Sequence, residues 1–399
     1  MKRKGLLKKM GVILIGIVIL VGIAAAALFQ ISGVFQKPAY LEPWEKSYAE
    51  KFDDPRIRLA AHGLLAANGH NMQPWKIRLD RADPMVFYLY ADSDRLTKEV
   101  DPLSRQMMVT QGAFLEYVRV AGDQSGDRTK IELFPQGGYD EQNLEKSMDD
   151  VPVAKITLTR AALRATSLYD GMFLPDTNRA PYQSEKLNAG QIDALEKIST
   201  DDTLSVKVFQ DRENGNKLGD YAVKGAAVEA GAERVMKETE VIFRPNESEK
   251  NKYRYGFSVE GQGTSGIMKH LMQGLVTLFP SMNSGKSASD LMIRSTKASV
   301  DHTPAYALIL TKDNTRSSQV KSGMLYSRLV LEAQRQGLAV QPLSQVLEEY
   351  PEMSGLYHGI HRDYAPGGET IQMLVRVGRP TKTVPQSMRR DVMDLVAGE

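Results

Sequence analysis

Residues 68–75 read Asn-Gly-His-Asn-Met-Gln-Pro-Trp and gather amide side chains, an imidazole and a glycine into one short stretch. Asn68, Gly69, His70, Asn71 and Gln73 supply planar donor/acceptor groups and backbone N–H groups. Pro74 fixes its own φ, and Trp75 offers a large apolar anchor. A rigid polar turn of this kind suits the edge of a flat heterocycle. The competing explanation is plain: Asn68-Gly69 ends a helix and Trp75 seats the next strand. That accounts for the ends of the octet but not for His70, Asn71 and Gln73 clustered between them.

Other candidate sites fail on spacing. Residues 261–266, Gly-Gln-Gly-Thr-Ser-Gly, match a dinucleotide fingerprint by letters, and 253–260 can be read as the strand before it. No second strand with a terminal acid follows, so a lid hinge is the better reading. Gly285-Lys286-Ser287 resembles the end of a phosphate loop, but Pro280 stands where the first glycine is needed. His358, His361 and Asp363 would share a metal only on one helix face. Gly355, Gly359 and Pro366 make that segment read as a loop of surface or satisfied histidines, and no metal site is expected. There is no Gly-x-Ser-x-Gly elbow and no cysteine, which excludes that serine-hydrolase device, disulfides and thiol catalysis. No catalytic acid, base or nucleophile can be named.

The elements that would position the octet follow from periodicity. The chain has 399 residues, 42% apolar, with 51 basic against 49 acidic side chains. Such a chain buries a full core, and its balanced charge gives no case for nucleic acid. Lys2, Arg3, Lys4, Lys8 and Lys9 precede an uncharged apolar run at 10–29, long enough to span a bilayer. The basic flank predicts a single-pass cell-membrane protein with its N-terminus in the cytoplasm and its main domain outside it. Ala24–Ala27 as small residues offers the alternative, a cleaved signal peptide. The organisation expected is a basic segment at 1–9, the anchor at 10–29 and a linker at 30–52. A first half at 53–170 and a second at 171–399 follow, the second with a lid-like insertion at about 241–296.

Within the first half, Asp53 or Asp54 caps a helix opening at Pro55 and ending near Asn68-Gly69. Strands are expected from Trp75 and at 85–91, a helix at 104–121, and strands at 131–134 and 153–159. The second half repeats the order: a helix at 189–198, a strand at 204–209, a long helix at 217–238, a strand at 305–311 and a helix at 317–336. Strand, acidic turn, glycine and long helix at 88–92 and Gly112 recur at 308–313 and Gly323, which reads as two related α+β halves. In the insertion, 267–279 carries an apolar helical face, and the rest is polar and loop-like.

At the octet the chain resembles the nitroreductase-like flavoprotein superfamily, whose members carry Pro-Ser-x-x-Asn-x-Gln-Pro-Trp at this point. The His-Asn-x-Gln-Pro-Trp form is most similar to the Acg-type branch, with two nitroreductase-like halves in one chain. Asp101-Pro102-Leu103-Ser104-Arg105 with Gly112-Ala113, Thr177-Asn178-Arg179-Ala180-Pro181-Tyr182, Gly337-Leu338-Ala339 with Pro342-Leu343-Ser344-Gln345, and 372–378 near Arg389-Arg390 extend the resemblance over most of 55–396.

The resemblance implies a nitroreductase-like α+β fold after the N-terminal transmembrane helix, with one FMN between the halves. By it, Asn68, Gly69, His70, Asn71 and Gln73 face the flavin from the first half. Arg179 with Asn178 grips the phosphate, Arg389 or Arg390 adds a second cation, and backbone at Leu343-Ser344 lies near flavin N5. The implied activity passes electrons through FMN to a nitro compound, a quinone or a similar acceptor. NAD(P)H or a membrane electron donor would supply them. The alternative is a protein that binds or sequesters FMN without turnover. Two departures stand out. Asn68-Gly69 replaces Pro-Ser, and the first half has no Arg-x-x-Arg phosphate grip, since Arg56 and Arg58 fall within its first helix. One flavin site per chain is therefore expected.

Overall fold

A computed structural model describes residues 2–397; Met1, at the head of the basic segment, and Gly398-Glu399, at the end of the second half, lie outside the described residues. Helix α1, Lys2–Ser32, contains the single stretch among the described residues that is long and apolar enough to cross a membrane. Its 24 residues from Lys9 to Ser32 extend ~36 Å at the α-helical rise, against a hydrocarbon core of ~30 Å. From Met10 to Ile23 its large apolar side chains are exposed, and contact with the rest of the chain begins near Leu28.

The linker expected after it is folded onto the body. Tyr40, Trp44 and Tyr48 are buried. Trp44 Nε1 donates to the Ser387 carbonyl at 2.8 Å, and the Tyr48 hydroxyl accepts from Val392 N–H at 2.9 Å. Three aromatics within nine residues give this segment enough apolar surface to dock rather than to float.

The first half comprises α2 Pro55–Gly63, β1 Trp75–Leu79, β2 Val86–Ala91, α3 Arg105–Ser125, β3 Asp127–Leu133, α4 Leu144–Asp150 and β4 Ala154–Arg160. Asp54 caps α2 by accepting Arg56 N–H, with Pro55 in the first turn. That helix stops at Gly63 rather than near Asn68. Beyond it the chain tightens into 3₁₀-type turns, Leu65 N–H donating to the His62 carbonyl and Ala66 N–H to that of Gly63, with Leu64, Leu65 and Ala66 all buried. The antiparallel sheet runs β1-β2-β4-β3.

The second half comprises α5 Ala189–Glu196, β5 Leu204–Phe209, α6 Arg212–Gly231, α7 Glu233–Val241, α8 Glu247–Tyr253, α9 Gly266–Leu278, α10 Gly285–Asp301, β6 Ala305–Thr311, α11 Arg316–Arg335, β7 Ala339–Pro342, α12 Ser354–Tyr364 and β8 Thr370–Gly378. Its antiparallel sheet runs β5-β6-β8-β7, the same permutation as the first. In each half the long helix leaves the second strand and leads into the third. The two halves thus share one topology, with α6–α10 inserted between β5 and β6. The single long helix expected at 217–238 is broken at Gly231-Ala232, and the loop expected around His358 is α12. There His361 is satisfied: its Nε2 accepts Ile371 N–H at 3.0 Å.

Helices α3 and α11 join the halves. A Cβ on Gly112 would lie 1.8 Å from the Val320 carbonyl oxygen, and one on Gly323 would lie 1.8 Å from that of Val109. The same glycine in each half lets the backbones touch reciprocally. Strand β6 divides two cores by its period of two: Ala305, Ala307 and Ile309 face one, while Tyr306, Leu308 and Leu310 face the other. The C-terminal chain then returns to the first half, where Val396 bridges Ile77 in parallel and Ala397 N–H donates to its carbonyl.

Candidate functional site

The octet is a strained turn held by both halves. His70, Asn71 and Gln73 have φ of 51°, 52° and 51°, left-handed conformations that L-residues other than glycine adopt at a cost of about 1 kcal/mol or more each. Asn68 Oδ1 accepts Gln73 N–H at 2.8 Å across the turn, and Gly69 N–H donates to Thr110 Oγ1 of α3 at 3.1 Å. Trp75, fully buried against Phe114 at 5.2 Å between ring centroids, fixes the exit into β1.

The amides of Asn71 and Gln73 are engaged by the protein itself. Asn71 Nδ2 donates to the carbonyls of Gly256 and Met388, both at 3.2 Å, and its Oδ1 accepts from Arg389 Nη1 at 3.1 Å. Gln73 Nε2 donates to the Arg254 carbonyl at 2.8 Å, and its Oε1 accepts Arg390 N–H at 2.8 Å. The two C-terminal arginines are committed in the same way. Arg389 Nη2 donates to the Leu65 carbonyl at 2.7 Å, and its guanidinium lies 4.5 Å from the Trp44 ring centroid. Arg390 donates to the carbonyls of Gln73 and Asp394. Burial pushes the pKa of each guanidinium down to about 10. Both brace the turn.

His70 and Arg179 differ from these. The His70 ring packs on Phe257 at 5.1 Å, and its Nδ1 is buried with no hydrogen-bond partner. Burial, reinforced by the Arg179 charge, pushes its pKa down to about 4, so the imidazole is neutral at neutral pH. The Arg179 charge, from the second half, is therefore near enough to be felt at the octet. Arg179 is exposed to water, yet the protein around it lowers its pKa, with Tyr326 and Tyr182 close by. Among the described residues it has no hydrogen-bond acceptor and no carboxylate partner. A cation without a carboxylate partner and an orphaned imidazole nitrogen, one from each half, together suit an anionic, planar ligand.

Asn178 aims that cation. It is buried, its N–H donates to the Val340 carbonyl, its Oδ1 accepts Ala180 N–H, and its Nδ2 donates to the Lys382 carbonyl. Arg376, a residue with no sequence signal of its own, lies fully buried behind it. This arginine donates to the carbonyls of Asn178 and Ala180 and stacks 3.8 Å from the Tyr182 ring centroid. Leu343 and Ser344 have their hydrogen-bond partners in the second sheet. Leu343 N–H donates to the Leu374 carbonyl at 2.8 Å, and Ser344 Oγ exchanges hydrogen bonds with both backbone groups of Leu374. Among the described residues no hydrogen bond joins either of them to the octet or to Arg179.

The insertion supplies the cover. Gly256 N–H donates to the Asn71 carbonyl at 3.0 Å, so residues 254–257 bind the octet through Arg254, Gly256 and Phe257. Tyr255 lies between the guanidiniums of Arg95 and Arg244, each 4.6 Å from its ring centroid. Phe257 had no signal in the sequence, because it touches His70 only through the folded insertion.

No family model matches the chain. A protein of Mycobacterium tuberculosis described as putative NAD(P)H nitroreductase acg is 25% identical over 312 residues, covering 77% of this chain and 84% of the relative. Among solved structures, the FMN-dependent nitroreductase NfnB of Mycobacterium smegmatis in complex with NADPH is 14% identical with a TM-score of 0.33, covering 56% of this chain and 93% of its own. A nitroreductase from Anabaena variabilis, described as putative, is 10% identical with a TM-score of 0.36, covering 74% and 69%. Structural likeness at this level carries no argument alone; the relation rests on the sequence match.

Proposed function

Because the chain is nitroreductase-like with an Acg-type relation, we propose that it binds one FMN in the cleft between its halves, held to a membrane by α1. The observation that carries this reading is an Arg179 guanidinium without a carboxylate partner whose charge is felt at His70, where Nδ1 is orphaned. A phosphate dianion fits the first, since a planar guanidinium offers parallel N–H donors. A polar flavin edge fits the second, since a neutral imidazole can donate or accept at Nδ1. Asn68, Gly69, Asn71, Gln73, Asn178, Arg389 and Arg390 support the site around these two groups, and Leu343-Ser344, bonded to Leu374, would border it only as the resemblance implies. FMN, when bound, supplies hydride and single-electron transfer. The chain's own part is to bind, orient and exclude water, Phe257 covering His70 while Asn178 and Arg376 fix the approach of Arg179.

The activity this supports is nitroreductase-type electron transfer to a nitro compound, a quinone or a similar acceptor. With the basic end of α1 in the cytoplasm, the body lies where NAD(P)H is not expected, and a membrane donor takes its place. A second reading, FMN held without turnover, is favoured by the cover formed by Arg254, Gly256 and Phe257 on the octet. Titrating the full chain with FMN in detergent and following its visible spectrum tests both readings; a protein that stays colourless refutes them. Arg179→Ala should weaken FMN binding roughly 10- to 100-fold, the worth of a charge-assisted contact, while Lys286→Ala should leave it unchanged. Equal affinities of the two variants would remove Arg179 from the phosphate. Anaerobic mixing with NADPH or a reduced quinone then separates the readings: rapid bleaching favours turnover, and a persistent yellow colour favours holding.

A further inference from the structure

The insertion leaves an apolar face uncovered beside the end of α1. On α9 and the turn after it, Ile267, Met268, Leu278, Phe279 and Met282 are between 44% and 75% exposed. Isolated exposed apolar residues are ordinary, but a contiguous set on one helix marks a contact surface. An adjoining strip of α9 packs on α1 where that helix stops being exposed. A Cβ on Gly274 would lie 2.5 Å from the Leu28 carbonyl oxygen, and His270 Nδ1 lies 3.3 Å from Ser32 Oγ. Between Glu260 and Asp290 the sequence has no carboxylate, and its charged side chains are Lys269 and Lys286.

We infer that the exposed face of α9 is a membrane-contact surface, lying in the headgroup and upper acyl region of the same bilayer that α1 enters. The inference rests on the reading of α1 as an anchor. Continuity with α1 identifies the occupant: an apolar strip joined to the exit of a spanning helix is held at the depth where lipid begins. Lys286 suits it to anionic headgroups, which attract lysines, while Lys269 is paired with Glu247 and Glu260. The surface is coupled to the site. Gln273 of α9 donates to Glu247 Oε1 at 2.9 Å, Tyr40 donates to Glu247 Oε2 at 2.6 Å, and α8 runs from Glu247 into the cover of the octet. The lid of the cleft is thereby seated on the membrane.

The chain has no cysteine, so single-cysteine labels report unambiguously. Ile267→Cys, Phe279→Cys, Ile19→Cys in α1 and Lys130→Cys on the polar strand β3 would each carry an environment-sensitive fluorophore. The labelled full chain is reconstituted in phosphatidylcholine–phosphatidylglycerol vesicles, with and without lipids brominated on the acyl chain. Quenching at 267 and 279 of at least half that at 19, with none at 130, is the expected result. Quenching at 19 while 267 and 279 behave like 130 would overturn the inference and leave the anchor standing. If 19 itself is unquenched, the anchor reading fails and the inference with it.

Discussion

Asn71 and His70 are adjacent in the chain and share a backbone conformation, yet one is saturated with hydrogen bonds and the other is left with an orphaned nitrogen. Sequence spacing brought both to one turn but could not give their directions, because three left-handed residues rotate each side chain away from where a regular turn would aim it. Asn71→Ala should cost on the order of 2–4 kcal/mol in urea unfolding of the full chain in detergent. It strips a partner from Arg389 and leaves a left-handed residue without its support. Asp176, buried beneath the same region, accepts Ala67 N–H at 2.6 Å and the Tyr117 hydroxyl. Burial raises its pKa to about 6, above its ordinary value of 3.8. The folded state then holds its proton where the unfolded state has lost it, so this group's contribution to stability falls as pH rises from about 4 to about 6. His70, with its pKa lowered, works in the opposite sense between about 6.5 and 4. Replacing the carboxyl by Asp176→Asn should remove the first slope. The variant's urea midpoint relative to the parent should rise between pH 4.5 and pH 7, and a constant difference would contradict the assignment.

The crossing of α3 and α11 shows how much an element can reveal in advance. The recurrence of strand, acidic turn, glycine and helix was visible, and Gly112 and Gly323 occupy reciprocal positions where the two halves meet. Their role follows from close approach, since any Cβ there would overlap a carbonyl of the partner helix. Gly112→Ala should destabilise by on the order of 3 kcal/mol or more, whereas Gly215→Ala in α6, where a Cβ meets nothing within 4 Å, should be neutral or mildly stabilising. Thermal melts of the two variants make the comparison. Arg105 is another such joint: it donates to the carbonyls of Gln372 and Leu347, so two motifs far apart in the sequence prove to be one staple. The insertion was poorly legible because its helices owe their stability to what they pack on. Helix α10 reads as a polar stretch, yet it buries Thr296 and Ser299.

At the scale of the whole molecule, the halves could not be drawn as separate blocks. The tail at 388–397 supplies the carbonyl of Met388 to Asn71, the backbone N–H of Arg390 to Gln73, and a bridge to β1, and Trp44 and Tyr48 from the linker join the same core. Sequence order hides such returns, since nothing local in residues 388–397 points to a partner some 300 residues earlier. The cover adds a kinetic consequence. Arg254, Gly256 and Phe257 are bonded to or packed on the very turn that holds His70, so under the proposed function an FMN held at that turn would leave only after those contacts part. Its dwell time is then a property of the cover, separate from the strength of the Arg179 contact. Phe257→Ala should speed FMN release on the order of tenfold in stopped-flow displacement while changing its rate less in Arg179→Ala, where escape is already fast. Such a protein would behave as a timer: it would exchange its ligand at a pace set by an aromatic ring and three backbone groups of the insertion.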